Sequence, residues 1–262
     1  MATVPLKYEL YPFLLTKSHE KMEPDNIALL TKLKKDSLAM GAAYFGVADL
    51  SLTRQGPLTP NEAKLVAKYT TAVSIGVPLD TSLVTKIGSQ DDLSALRQYY
   101  AHVYYEISPF IDEITDHLYA TLHNAGFTSW PVPATETIDT DNQYSLFSHK
   151  MAANLAGLGW VGKSCLFITA DRGPRVRWGT ILTNAPLPAT GQPVANRCGK
   201  CQRCVAACPV QAFTGRNFVI SEAREMRMSA QKCLDFLLER RRNIGVSACG
   251  QCVYSCPWGQ PD

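Results

Sequence analysis

No stretch of the 262-residue chain approaches the run of about 18 consecutive apolar residues that a membrane-spanning helix needs. The start of the chain, Met1 to Leu10, lacks a basic segment followed by an apolar core and a small-residue cleavage site. It also lacks a twin-arginine pair. Neither sign of charge dominates: the formal net charge is +3 and charged residues make up 19% of the chain, too little to argue for a nucleic-acid binder by itself. No repeat is visible apart from two cysteine-rich halves near the end. These absences exclude a membrane span and an exported disulfide scaffold, and they lead us to expect a cytoplasmic globular protein. A hydrophobic content of 46% over this length suffices for one sizeable domain and a small module.

Cysteine is abundant by contrast, and it is ordered. Cys198, Cys201, Cys204 and Cys208, the last followed by Pro209, form a C-x2-C-x2-C-x3-C-P run. Cys249, Cys252 and Cys256, followed by Pro257, form a second group, with Cys233 between the two. In bacterial iron–sulfur proteins three thiolates of such a run wrap one cube of iron and sulfide, and the cysteine before proline ligates a second cube. That logic assigns Cys198, Cys201, Cys204 and Cys256 to one 4Fe–4S cluster and Cys208, Cys233, Cys249 and Cys252 to the other. Eight of the nine cysteines are used. Zinc tolerates C-x2-C pairs but gives no purpose to the interleaved third cysteine or the two Cys-Pro endings. Cys165 is left over and reads as a buried small hydrophobe.

The remaining chain alternates helical and strand patterns, which indicates layered α/β architecture. Residues 1–25 read as an extended arm. A helix opens at Pro24 and Asp25, carries Ile27, Leu30, Leu33 and Leu38, and stops near Gly41. Strands are expected at 43–48 and 71–77, with a short helix between them capped by Asn61. The longest helical pattern runs from Asp91 to Ala125, with Pro109 as its kink or division and Gly126 as its stop. Tyr99, Tyr100, Tyr104, Tyr105 and Tyr119 on it read as core rather than a cofactor box. Further strands are expected at 127–132, 164–169 and 176–183, with a helix at 146–155. Pro186, Pro188, Gly191 and Pro193 mark a linker and domain boundary. A helix over 221–242 carries Cys233, and Arg240, Arg241 and Arg242 read as a solvated face.

Gly157, Gly159, Gly162, Lys163 and Ser164 match two phosphate-binding motifs by letter. Both motifs require a strand before the glycines and a helix after them. Here a helix precedes and a strand follows, so both are rejected. Glycines so placed permit close approach of backbone to a large flat ligand.

This turn (Gly157, Leu158, Gly159, Trp160, Gly162, Lys163), followed by Leu182 and Thr183 and then by the twin cysteine groups with a separate Cys233, resembles epoxyqueuosine reductases. That family shares its core and cluster module with reductive dehalogenases. The resemblance covers about residues 27–257. It implies a nitroreductase-like α/β (α+β) corrinoid-binding core over 1–190 and a ferredoxin-like twin 4Fe–4S module over 191–262. It further implies base-off cobalamin held by the turn, Leu182 and Thr183, and a low-potential electron donor of ferredoxin or flavodoxin type. The substrate would be a small or nucleoside-like molecule undergoing reductive deoxygenation or dehalogenation. Asp139, Asp141 and Tyr144 are the candidate proton donors, with Lys163 a further one, because Gln143 stands where the reductases carry an aspartate. The chain stops at Asp262, short of the helical-repeat segment such reductases use on tRNA, which counts against tRNA as partner. An electron-transfer or corrinoid-handling protein without its own chemistry is the alternative.

Overall fold

The computed structural model describes residues 23–136 and 145–260. The expected arm therefore lies almost wholly outside the described residues, and so do Asp139, Asp141 and Tyr144. The first helix, α1 (Glu23–Ala39), leads to β1 (Tyr44–Asp49). A 3-10 segment at Leu50–Gln55 follows, then α2 (Pro60–Lys68) and β2 (Thr71–Pro78). The cap of α2 is Thr59 rather than Asn61. Its side chain accepts from the Glu62 N–H while the Glu62 carboxylate accepts from the Thr59 N–H, and Pro60 occupies the first turn, where its missing N–H costs nothing.

Two short helices, α3 (Thr81–Lys86) and α4 (Leu93–Ala101), precede α5 (Ser108–Asn124). The long helical pattern is thus one helical run, but its middle, His102–Ile107, is π-helical. The Ser108 N–H donates to the Val103 carbonyl five residues back. This wider turn sits directly before Pro109, whose ring would clash with an ordinary i−4 carbonyl. The run ends at Gly126, with φ +84°.

The chain continues through β3 (Ser129–Val132), α6 (His149–Leu155), a small hairpin of β4 (Trp160–Val161) and β5 (Phe167–Ile168), and β6 (Val176–Thr183). The main sheet has the order β1-β2-β6-β3 and every pairing in it is antiparallel, so α+β is the more exact description. Alternation along the strands divides the core. Val47, Val73, Ile75 and Ile181 pack under α1 and α5 with Leu33, Ile111, Ile114 and Leu118. Ala48, Ala72 and Leu182 face α6 with Ala152 and Leu155. Both faces are covered, which is why β2 and β6 read as nearly unbroken apolar runs. A side chain at Gly179 would meet the Ile111 Cγ2 at 2.5 Å, so this glycine sets how closely α5 lies on the sheet.

Pro131 lies within β3, a four-residue edge strand. At the opposite edge the segment after β6 returns along β1: the Thr190 N–H donates to the Val47 carbonyl and the Val47 N–H to Thr190 Oγ1. The remaining helices are α7 (Arg203–Ala206), α8 (Ala230–Ile244) and α9 (Gln251–Tyr254). The helix carrying Cys233 begins at Ala230, later than expected, because residues 221–229 form turns and a 3-10 segment at Arg224–Met226. Arg241 and Arg242 are solvated as expected, whereas Arg240 is half-buried, stacks on Phe236 and lies beside Cys249. Among the described residues no helix is long and apolar enough to cross a membrane.

His149, at the start of α6, joins two layers. One ring nitrogen meets Thr180 Oγ1 at 2.9 Å, and the other meets the Pro133 carbonyl at 3.1 Å. A carbonyl can only accept, so Nε2 carries the proton and Nδ1 accepts from Thr180. Burial, opposed only in part by the Pro133 bond, pushes the imidazole pKa down to about 4. The unfolded chain therefore binds the extra proton first, and stability is expected to fall as pH drops from about 6.5 to about 4. The loss attributable to this group approaches roughly 3 kcal/mol. His149→Gln should flatten that part of a denaturation-against-pH profile; an unchanged acid limb would refute the assignment.

Candidate functional site

The cysteines are carried on short, tight elements. Gly199 (φ +50°) turns the chain so that the Cys201 N–H bonds the Cys198 carbonyl. Cys204 lies on α7, and the Cys208 sulfur beyond it accepts from the Ala212 N–H at 3.2 Å. Gly250 (φ +71°) starts α9, which carries Cys252, and Cys256 follows its end. Cys233 projects from α8.

The thiols act on one another along the module. Cys204 is raised by burial and then by Cys198 and Cys201; Cys256 is pushed up to about 11 by burial, with Cys204 and Cys198 adding to it. In the other set Cys233 is pushed up to about 11 by burial and by Cys249 and Cys208. Cys252 is raised by burial and by Cys249, Cys233, Cys204 and Cys208, so the two sets adjoin at Cys204 and Cys252. Half-buried thiols that oppose one another's ionisation fit a group supplying positive charge, and iron in a cluster does so.

Two buried cations of the α/β core clasp the cysteine loops. Lys163 is 4% exposed, and its Nζ donates to the carbonyls of Gly199 (2.8 Å) and Cys201 (3.0 Å). Arg175 is 3% exposed; it donates to the Trp258 carbonyl at 2.7 Å and, more weakly, to those of Tyr254 and Cys256. Both therefore hold backbone around the set of Cys198, Cys201, Cys204 and Cys256. Sequence reasoning overlooked Arg175; its only signal was a charge at the threshold of the apolar strand β6. Tyr99, read from the sequence as core, packs against two core clusters and also lies beside the other set. Burial, and then Cys252, holds the Tyr99 phenol well above its ordinary pKa.

The glycine turn is filled by the chain itself. A Cβ at Gly157 (φ +76°) would meet Gln192 backbone at 2.9 Å, and one at Gly159 would meet the Ile168 carbonyl at 2.1 Å. A Cβ at Gly162 would lie 2.9 Å from Ile168 and 3.6 Å from the Cys198 sulfur. The close approach these glycines permit is that of protein backbone to protein. Trp160 is buried edge-on against Trp258, Leu158 is half-buried, and Leu182 and Thr183 are fully buried in the core.

Beside this turn a cavity of about 460 Å³ opens between the core and the loop before α8. The turn reaches it through Val161 and Cys165, and none of the eight residues assigned to the cofactor from the resemblance lines it. Its wall is apolar at Leu58, Met151, Leu155, Val161, Phe218 and Ile220. Its polar groups include Lys150, Arg224 and Arg227. Lys150 Nζ donates to the Cys165 carbonyl at 2.9 Å, and burial, with Arg224 and Arg227 adding to it, lowers the lysine pKa. Cys165 is buried as expected but adopts φ +55°, a conformation few residues other than glycine take up. Ser145, the first described residue after the candidate proton donors, lines the same cavity.

A family model described as a 4Fe-4S double cluster binding domain matches residues 197–259. An epoxyqueuosine reductase of Synechococcus sp. (strain RCC307) is 38% identical over 111 residues, which are 42% of this chain and 34% of that protein. The chain thus spans well under two thirds of the length of the curated relatives it matches. The structure of epoxyqueuosine reductase from Streptococcus thermophilus aligns with a TM-score of 0.56 at 20% identity, covering 88% of this chain and 66% of that one. A catabolic reductive dehalogenase in complex with 3-bromo-4-hydroxybenzoic acid aligns with a TM-score of 0.60 at 20% identity, covering 88% of this chain and 32% of that one. The chain is therefore similar in sequence to epoxyqueuosine reductases, has a fold shared with them and with reductive dehalogenases, and carries a double 4Fe–4S domain at its C-terminal end.

Proposed function

We propose that the protein is a cytoplasmic iron–sulfur reductase in which two 4Fe–4S clusters deliver electrons, one at a time, to cobalamin held at the cavity between core and cysteine module. The observation that carries this reading is the cavity's position. Its Val161 and Cys165 wall belongs to the hairpin that also presses Gly162 and Lys163 against the first cysteine loop. A group seated there would be separated from the nearer cluster by one layer of backbone. The cavity, about 460 Å³, has room for part of a large amphiphilic ligand: Met151, Leu155 and Val161 would carry its apolar face, Ser148 and Asn154 lie at the margin, and the rest of the ligand would extend beyond it. Cobalamin would supply low-potential two-electron cobalt chemistry. The glycine turn would act from behind the wall, fixing Val161 and Cys165 rather than touching the ligand.

Similarity to epoxyqueuosine reductases supports a small or nucleoside-like substrate, reduced by deoxygenation or dehalogenation, and a ferredoxin- or flavodoxin-type donor. Anaerobic reconstitution with iron and sulfide, followed by a visible spectrum with and without cobalamin, tests the proposal. About eight irons per chain and a base-off corrinoid spectrum are expected. Eight irons without corrinoid uptake would leave an electron carrier.

A further inference from the structure

The cavity contains an unbalanced charge. Of its two carboxylates, Glu62 is committed to the Thr59 N–H and hydroxyl, and Glu222 is paired with Arg216. Arg224 is paired with Glu225. Two cations remain. Among the described residues no carboxylate stands within ion-pair distance of Lys150 or Arg227. Arg227 is only 5% exposed, its guanidinium lies over the Phe218 ring at 4.6 Å, and its Nε and Nη1 have no hydrogen-bond partner among the described residues. Lys150, half-buried on the same cavity, lies close enough to Arg227 to be repelled by it and is only partly offset by Glu62. Buried charges are ordinarily paired, and a buried guanidinium with unpartnered donors beside a second cation is costly unless a counter-charge joins them.

We propose that this end of the cavity is an oxyanion site, in which Lys150 and Arg227 bind a phosphate or carboxylate group whose attached body lies along Met151, Leu155 and Phe218. The proposal rests on the cavity being the ligand site. The oxyanion has two possible sources: the phosphodiester in the nucleotide loop of cobalamin, or an anionic group of the substrate. Arginine and lysine divide the work by chemistry. The Arg227 fork offers two parallel N–H donors to a planar or tetrahedral oxyanion, and Lys150 adds a point charge.

The test uses the reconstituted holoprotein, with cobalamin, cobinamide (which lacks the phosphodiester) and inorganic phosphate as probes, and compares Lys150→Met and Arg227→Met. Unchanged iron content and cluster absorbance establish that each variant is folded; Arg227→Lys serves if Arg227→Met is not. A phosphodiester source predicts that cobalamin binds roughly tenfold to a hundredfold more weakly to each variant while cobinamide binds as before. A substrate source predicts corrinoid binding that ignores both variants, with phosphate raising the unfolding temperature of the parent protein and not of the variants. If cobalamin and phosphate both ignore the two substitutions, the oxyanion site is overturned even where corrinoid still binds. If neither corrinoid binds but the phosphate response depends on Lys150 and Arg227, the site stands and the cobalamin reading falls.

Discussion

Cys204→Ala is expected to halve the iron content of the reconstituted protein, from about eight atoms per chain to about four. Cys204 stands at the junction of the two thiol sets, since it is raised by Cys198 and Cys201 and itself acts on Cys256 on one side and on Cys252 on the other. Its removal leaves the first set with three sulfurs and an open iron site. The loop around Gly199 and α7 would then lose the ligand that fixes both, and the module should become sensitive to proteolysis between residues 198 and 208. Cys165→Ala is the control: Cys165 belongs to neither set, and its replacement should leave iron unchanged. An unaltered iron count in Cys204→Ala would refute the assignment of ligands.

Arg175→Met should cost about 3 kcal/mol in stability, because it removes a buried charge-assisted donor and strands the carbonyls it satisfied. It should also lower the reduction potential of the nearer cluster. Reduction adds negative charge, and a buried cation beside Cys256 favours it. Denaturant unfolding and a redox titration followed by electron paramagnetic resonance measure the two effects separately. Arg175→Lys should recover much of the potential and little of the stability, since one ammonium cannot span carbonyls from Tyr254 to Trp258. A potential that stays at the parent value in Arg175→Met would show that the charge does not act on the cluster.

The elements that were legible beforehand are those whose signal lies within a few residues. The apolar alternation of Val73, Ile75 and Val77, the i, i+3, i+7 spacing of Ile111, Ile114 and Leu118, and the cysteine spacings each carry their own geometry. What escaped depends on partners far along the chain. Asn61 looked a better cap than Thr59 until Glu62 closed the box from the other side. Gly157 and Gly159 suggested space for a ligand, but the approach they permit is taken by residues 191–192 and by β5. Lys163 was a reasonable candidate near a corrin, yet its ammonium is engaged by carbonyls 36 and 38 residues away. Arg240 shares the exposed sequence context of Arg241 and Arg242; only the packing of Phe236 and Cys249 distinguishes it. The buried Arg227, with its unpartnered Nε and Nη1, shows the same limit, because a missing counter-charge has no sequence signature.

The return of the chain along β1 has a consequence for solubility and assembly. An open four-stranded sheet has two rims, and a bare rim invites a strand from another molecule. Here Val47, in the middle of β1, gives both its outward backbone groups to Thr190, while β3 is short and interrupted by Pro131, which has no N–H to offer. Neither rim presents an unbroken ladder to a second copy. Strand-to-strand association through these two rims is therefore disfavoured, and loosening the Thr190 contact should be felt first as aggregation during folding.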